Sequence, residues 1–507
     1  VQSLNGSSSM GPDGLHPNFL KQCSSALAYP LSRIFDASLR EMTLPVLWKQ
    51  SIVVPLFKKG SRCDPLNYRP VSLTSVCCKT LERLISQSLT EFLESQSLLS
   101  CDQFGFRSGR STEDQLILTY DYLTRSLERG VAAFLVLFDF SKAFDVVDHV
   151  LLLTKLRLLG VGGRLLGWIA DFLVGRQMRV VVGGRSSSPR SVLSGVPQGS
   201  VLGPLLFLIF INHVAHDVRS FCKLFADDLK LVLEMSLTSG EQSIADIKRC
   251  QEDIDMLYNT AKSWGLHMNA KKCLTIDFSR RARAADVIRC VRFTMGGQPI
   301  NHETSGVDLG VTVDTSLRFH QHIAVTVRKA GGLATNLLRS TLNREASFMV
   351  TLFIAHVRPI LDYCSCLWHT GYIGDLHRLE SVQRRWTRHI QGLEDMDYTS
   401  RLRTLNLYSI RGRLVRADMV KCWKIFHGKS SIRPHDLFSP TNEVCTRGHP
   451  FKIFVARSVL DCRRRSFAVR CVSMWNSLPA SVVMAESLSL FKSKLHNSLS
   501  AELFEFV

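Results

Sequence analysis

The chain has 507 residues, with 63 Lys and Arg against 44 Asp and Glu, a formal net charge of +19, and 45% hydrophobic and 21% charged residues. That length allows about three domains with a sizeable core, and the balance excludes a disordered basic tail or a collagen-like fibre. A folded chain with this positive field attracts polyanions, either nucleic acid or an anionic membrane surface.

The longest apolar stretch, Val201 to Ile211, contains Pro204 and falls well short of the roughly 20 residues that span a bilayer. The chain opens VQSLNGSSSMGPDGLHP, without an initiating Met, a charged n-region or an apolar h-region. It therefore reads as a piece of something longer, with no visible signal peptide. Its 15 cysteines are odd in number and irregularly spaced, the pattern of reduced thiols in a non-secreted protein.

From Leu15 to Leu47 the apolar spacing predicts a helix closed by Pro45. The run SIVVPLFKKGSRCDPLNYRPVSL predicts a hairpin-like element presenting Lys58, Lys59, Arg62 and Arg69, and an amphipathic helix is expected from Cys78 to Leu99. AAFLVLFDF, residues 132–140, is a continuous apolar run of strand length ending in an acid, as expected of a strand buried on one or both faces. A helix over roughly Ser141 to Leu159 should follow and stop at Gly160. RVVVGG reads as a short strand and turn, SGVPQGSVLGP as a loop, and LLFLIFINHV as a buried helix or strand that periodicity leaves open. CKLFADDLKLVLEM reads as a β-hairpin with two carboxylates at its bend. Ile244 to Trp264 has helical spacing, and beyond about Val313 the chain is mainly helical.

Asp139, Asp227 and Asp228 sit where polar residues cost most, at the end or middle of apolar strands. A buried, unpaired carboxylate costs several kcal/mol or takes up a proton. Convergence on a divalent metal removes that cost, since Mg²⁺ takes carboxylate oxygens and the phosphates of a substrate. Taken singly, such acids are usually turn residues; their order, with a Pro-Gln-Gly loop between them, favours metal chemistry.

FDFSKAFD (residues 138–145), SGVPQGSVLGPLLF (194–207) and FADD (225–228) resemble three successive palm motifs of reverse transcriptases, in the forms found in non-LTR retrotransposons. GPDGLHPNFLK resembles the extra N-terminal motif of those enzymes, VVPLFKKG and NYRPVSLTSVCCKTLER the fingers motifs, and QFGFRSGRSTEDQL the element between fingers and palm. GLHMNAKKC and LGVTVD resemble the lysine-bearing palm motif and the primer grip. LDYCSCLWH, LESVQRRWTRHI and RCVSMWNSLPASVV resemble the tail of CR1-like and jockey-like elements.

The resemblance implies an α+β right-hand polymerase: N-terminal extension and fingers over 1–130, palm with part of the fingers and the primer grip over 131–315, a helical thumb over 316–400, and a helical, basic C-terminal domain over 401–507. It implies an RNA-directed DNA polymerase that extends a DNA 3′-OH on an RNA template with dNTPs and two Mg²⁺ ions, Mn²⁺ being able to substitute. Asp139 and Asp227 would be the principal metal ligands, Asp228 would assist, and the Phe140 carbonyl would complete one ion's shell. Phe144 would be a steric gate against the ribose 2′-OH. Arg69 with Lys58 or Lys59 would hold the triphosphate, Gln198 and Gly199 would pack on the incoming nucleotide, and Lys272 or its neighbour Lys271 would protonate pyrophosphate. Arg107 and Arg110 would contact the template, and Arg384 and Arg388 would follow phosphates from one helix face. The partners would be RNA template, DNA primer or target, and dNTPs, in an intracellular ribonucleoprotein of nucleus or cytoplasm, with no membrane. The endonuclease expected ahead of such a polymerase does not appear in this chain.

A group II intron-type enzyme and a catalytically inactive nucleic-acid-binding relic are the competing readings. The CR1-like tail speaks against the first and the three intact acids against the second. Cys364, Cys366 and His369 form C-x-C-x2-H, but Cys445, His449, Cys462 and Cys471 are too scattered to complete the paired spacing that zinc favours. Residues 328–507 hold 27 Lys and Arg against 14 Asp and Glu, which suggests a basic helical end that grips duplex beside an acidic centre.

Overall fold

A computed structural model describes residues 1–236, 240–279, 290–439, 448–499 and 503–505; Cys445 and Pro440 lie outside them. The described strands, in chain order, are β1 (Gln50–Phe57), β2 (Tyr68–Leu73), β3 (Ala132–Phe138), β4 (Arg176–Val182), β5 (Arg185–Ser186), β6 (Arg190–Val192), β7 (Phe221–Phe225), β8 (Asp228–Met235) and β9 (Leu274–Phe278). The shorter β10 (Thr294–Met295), β11 (Gln298–Pro299), β12 (Asn301–Glu303), β13 (Ser305–Asp308) and β14 (Val311–Asp314) follow. Helices make up most of the remainder, so the fold is α+β.

The central sheet has the order β12-β9-β3-β8-β7, with β3 antiparallel to both β8 and β9. Ala132 to Val136 are wholly excluded from solvent, which explains an unbroken apolar run: alternate side chains enter different cores. Ala132, Phe134, Val136 and Phe138 pack with the helices Val76–Ser95 and Gly203–Ile211. Ala133 and Leu135 pack with Leu116, Tyr120, Leu123 and Leu127 of the helix Thr112–Glu128. Leu205 to Ile211 are all buried, so the segment has no polar stripe by which periodicity could identify it as a helix.

A second sheet runs β2-β1-β4-β5, and β6 also pairs with β4, on the edge away from β1. β1 and β2 form the expected antiparallel pair, and the basic segment 58–67 connects them. The parallel pairing of β1 with β4, for example Ile52 beside Arg179, joins segments far apart in sequence.

The helix expected from Ser141 is instead Asp148-capped and spans His149–Leu158. Residues 141–146 form turns with Lys142 at φ +53°, a left-handed residue that interrupts any helix. The Asp148 side chain accepts from Leu151 N at 2.7 Å, the usual role of an N-cap.

The C-terminal helices dock on the outer side of Thr112–Glu128. Three acids seven residues apart receive them. Asp114 pairs with Lys421 and accepts from Ser431 Oγ at 2.7 Å. Asp121 pairs with Arg463 at 2.5 Å, and Glu128 accepts from the Val459 and Leu460 amides at 2.6 and 3.1 Å. One apolar core runs from β3 to Ile410 and Leu414, across the segment edges expected near 315 and 400. Arg413, Arg465 and Arg470 are likewise paired with Asp362, Asp461 and Asp418, so much of the C-terminal positive charge is spent inside the fold.

Candidate active site

β3 and β8 pair with Phe138 beside Leu229, and one further step along the same register brings Asp139 level with Asp228. In the β7–β8 hairpin Phe225 pairs with Asp228, leaving Ala226 and Asp227 as a two-residue turn. Such turns need positive φ to match strand twist, and Ala226 takes φ +56°. Thus two adjacent strands, one ending and one beginning, carry three carboxylates to one end of the sheet.

The acids feel one another. Burial pushes the Asp227 carboxyl above its ordinary range, Asp139 adds to the rise, and Arg69 and Lys58 oppose it. Asp228 is open along one side, but desolvation of its inner side and the charge of Asp227 push it up to about 6 against the pull of Lys230. Asp139 Oδ2 is buried without a hydrogen-bond partner, with Lys272 Nζ at 3.4 Å but poorly aligned. Among the described residues no group of three or more His, Cys, Asp or Glu is placed so that it could hold a metal ion by itself. A buried carboxylate oxygen without a hydrogen bond, beside two acids that resist ionisation, nevertheless fits a hard divalent cation, and the oxygen-only donor set suits Mg²⁺ or Mn²⁺.

Neighbouring segments fix this end of the sheet. Asn269 N donates to Asp139 O at 3.0 Å and Ser141 N to His267 O at 2.8 Å. Phe140, bridged to Met268, is therefore in a non-hydrogen-bonded position, its carbonyl turned away from that partner. Of the two lysines left open by sequence, Lys272 reaches Asp139; the Lys271 carbonyl accepts from Asn301 Nδ2 at 2.7 Å.

The Pro-Gln-Gly loop ties the two sheets together. Gln198 Nε2 donates to Asp145 Oδ1 at 2.7 Å, while Gln198 O accepts from Ser72 N of β2 at 2.7 Å. A Cβ on Gly199, at φ +115°, would lie 2.4 Å from Ser72 O, so only glycine fits. Phe144 is half-buried in a turn, stacked on Phe207 at 4.1 Å and edge-on to Phe106 at 6.2 Å. Lys58, Lys59 and Arg69 are exposed on β2 and the segment before it.

Arg107 is turned inward: its side chain is 6% exposed, pairs with Glu94 and donates to Ser100 O at 2.5 Å, which leaves it no outward face for a template. Arg110 lies over Phe104, its guanidinium 5.0 Å from the ring centre. Arg384 and Arg388 are exposed at the end of the helix Ile373–Thr387, far along the chain from the carboxylates, while Leu379, Val382, Trp386 and Ile390 are buried. Cys364, Cys366 and His369 are buried, with His369 Nδ1 3.3 Å from Asp418.

Two contributors are not evident from the motifs. Lys230, 1% exposed on β8, pairs with Asp308 of β13, which also accepts from Tyr120 Oη at 3.0 Å. A lysine inside an apolar strand was the available signal, since such a charge needs a buried partner. Glu82, fully buried, accepts from Val201 N and Leu202 N at 2.7 and 2.9 Å, anchoring the Pro-Gln-Gly loop at the start of the helix Gly203–Ile211.

Residues 57–299 match the family described as reverse transcriptase (RNA-dependent DNA polymerase), so they constitute a reverse transcriptase domain. The chain is 28% identical to the "Probable RNA-directed DNA polymerase from transposon BS" of Drosophila melanogaster, over 82% of this chain and 46% of that one. It is 29% identical to the RNA-directed DNA polymerase from mobile element jockey of Drosophila funebris, over 72% of this chain and 40% of the other. With the jockey polymerase of Drosophila melanogaster the identity is 27%, over 71% and 40%. Residues 57–299 thus carry the reverse transcriptase match, and over most of its length the chain is similar to the polymerases of these mobile elements. It spans less than half the length of these relatives. No described helix is long and apolar enough to cross a membrane.

Proposed function

We propose that this chain is an RNA-directed DNA polymerase that adds deoxynucleotides to a DNA 3′-OH on an RNA template. The observation that carries the reading is the meeting of Asp139, Asp227 and Asp228 at one end of the central sheet, inside the matched domain. In this reading the central sheet is the palm, the β1–β2–β4 sheet belongs to the fingers, the helices after β14 form the thumb, and the remainder is a C-terminal domain. A pair of Mg²⁺ ions, when bound, would activate the primer hydroxyl and stabilise the charge that develops on the phosphates.

The protein's own groups divide the rest of the work. Asp139, Asp227 and the Phe140 carbonyl would hold the ions, with Asp228 assisting. Arg69 with Lys58 or Lys59 would hold the triphosphate, and Arg69 and Lys58 already act on Asp227 electrostatically. Lys272, now drawn to Asp139, would turn to the departing pyrophosphate and supply its proton. Gln198 and Gly199 set the floor of the nucleotide site, and the Phe144 ring would exclude a 2′-hydroxyl. Arg110, Arg384 and Arg388 are the remaining candidates for nucleic-acid contact. The chain would act inside the cell, in a ribonucleoprotein.

Primer extension on poly(rA)/oligo(dT) with Mg²⁺ tests this. The wild type should extend, and Asp227→Ala should not. A folded wild type without product overturns the activity, favouring the inactive relic, and an undiminished Asp227→Ala overturns the site.

A further inference from the structure

The two-residue turn that carries Asp227 is held from outside the hairpin. Residues 102–105 run beside the free edge of β7: Leu224 N donates to Asp102 O at 2.9 Å, and Phe104 N donates to Leu224 O at 2.8 Å. Between them Gln103 forms a parallel bridge to Leu224 and is 1% exposed. Its side chain continues the ladder where the main chain cannot. Oε1 accepts from Ala226 N at 2.9 Å and from Gly105 N at 2.8 Å, and Nε2 donates to Ala226 O at 3.3 Å. The opposite amide orientation would set an NH₂ against two N–H donors, so the network fixes the assignment.

Ala226 needs that hold. At φ +56° an alanine is in the left-handed region, disfavoured by roughly 1–2 kcal/mol, and glycine would be the unstrained occupant. The clamp is tightly built around it. A Cβ on Gly105 would lie 2.3 Å from Ala226 N, and Arg107 braces the strand by donating to Ser100 O. Glutamate at 103 could not donate to Ala226 O, and asparagine is one methylene too short.

We propose that Gln103 is a positioning residue that locks the Ala226–Asp227 turn in its positive-φ form, and so aims the Asp227 carboxylate toward Asp139. The inference rests on the proposed role of Asp227 as a metal-holding group. Gln103 itself touches no substrate; it acts through the turn.

The test compares the wild-type 507-residue chain, Gln103→Met, Ala226→Gly and the double variant, with Asp227→Ala as control. Three readouts are taken: amide hydrogen exchange of peptides covering 224–228, Mn²⁺ affinity by electron paramagnetic resonance, and steady-state primer extension. Gln103→Met should expose the turn amides to exchange, weaken Mn²⁺ binding and lower kcat by about tenfold or more, with KM for dNTP changed less than about twofold. Adding Ala226→Gly should recover several-fold of kcat and of Mn²⁺ affinity, because glycine takes the turn without the clamp. A merely structural glutamine predicts a different result, in which activity falls with the folded fraction and glycine restores nothing. That outcome, or unchanged exchange at 224–228, overturns the proposal. If Asp227→Ala retains activity and Mn²⁺ binding, the reading of Asp227 has failed instead, and the exchange data still decide whether Gln103 holds the turn.

Discussion

Lys230 and Asp308 form a buried ion pair behind the carboxylate-bearing end of the central sheet, with side chains 1% and 3% exposed. Lys230→Met removes the cation at nearly constant volume and leaves the Asp308 carboxylate with the Tyr120 hydroxyl at 3.0 Å as its remaining side-chain hydrogen bond. Stranding one partner of such a pair costs about 3–5 kcal/mol, a large part of the 5–15 kcal/mol typical of a folded domain. Replacing both, as Lys230→Met with Asp308→Leu, removes the buried charge altogether. The loss should then shrink to about 1 kcal/mol, mainly the Tyr120 hydroxyl left unpaired. Urea unfolding followed by far-UV circular dichroism measures both, and Tyr120→Phe in the double variant should recover the remainder. A single variant that costs less than about 1 kcal/mol, or a double as damaged as the single, refutes the view that the pair is a desolvated unit held by mutual compensation.

Three further outcomes are expected. Phe144→Val should raise ribonucleotide incorporation about tenfold or more in primer extension, and unchanged discrimination would reduce Phe144 to packing against Phe207. Gly199→Ala should abolish extension and lower stability, because at φ +115° its Cβ would meet Ser72 O at 2.4 Å; wild-type kinetics would show that the loop relaxes freely. Buried His322 accepts from Thr312 N at 3.2 Å, and burial lowers its pKa to about 4. Its neutral form is therefore favoured by the fold, so the protein is at full strength above about pH 6.5 and loses up to about 3 kcal/mol as pH falls from 6.5 to 4. His322→Gln should flatten that part of the melting-temperature profile, and an unchanged slope would assign it to other groups.

Features that follow from a few adjacent residues could be read directly from the sequence. β3 is apolar throughout because both its faces are covered, and its terminal acid stands out for that reason. The β7–β8 hairpin is likewise declared by its own residues, and a single register step brings Asp139 to Asp228. What could not be read depends on distant partners. The parallel pairing of β1 with β4 leaves no trace in either strand, the clamp of Gln103 on Ala226 joins residues 123 apart, and Arg107 looks like any basic loop residue until Glu94 is found beside it. The turn over 141–146 was hidden differently: its residues suit a helix, and the local N-cap at Asp148 together with the long-range bond from Val196 N to Phe144 O at 2.8 Å overrides that preference.

The helix Thr112–Glu128 serves two masters, bearing the central sheet on one side and the C-terminal helices on the other. Its acids Asp114 and Asp121 are buried only because Lys421 and Arg463 arrive from more than 300 residues later, and the Ser409 amide is capped by the carbonyl of Leu503. In a mutated copy of the coding sequence, a stop codon or frameshift after residue 400 would therefore not yield a shortened but stable protein. It would uncover the apolar side of that helix, where Ile117 and Leu118 pack among the C-terminal residues, and late nonsense changes should behave genetically as complete losses.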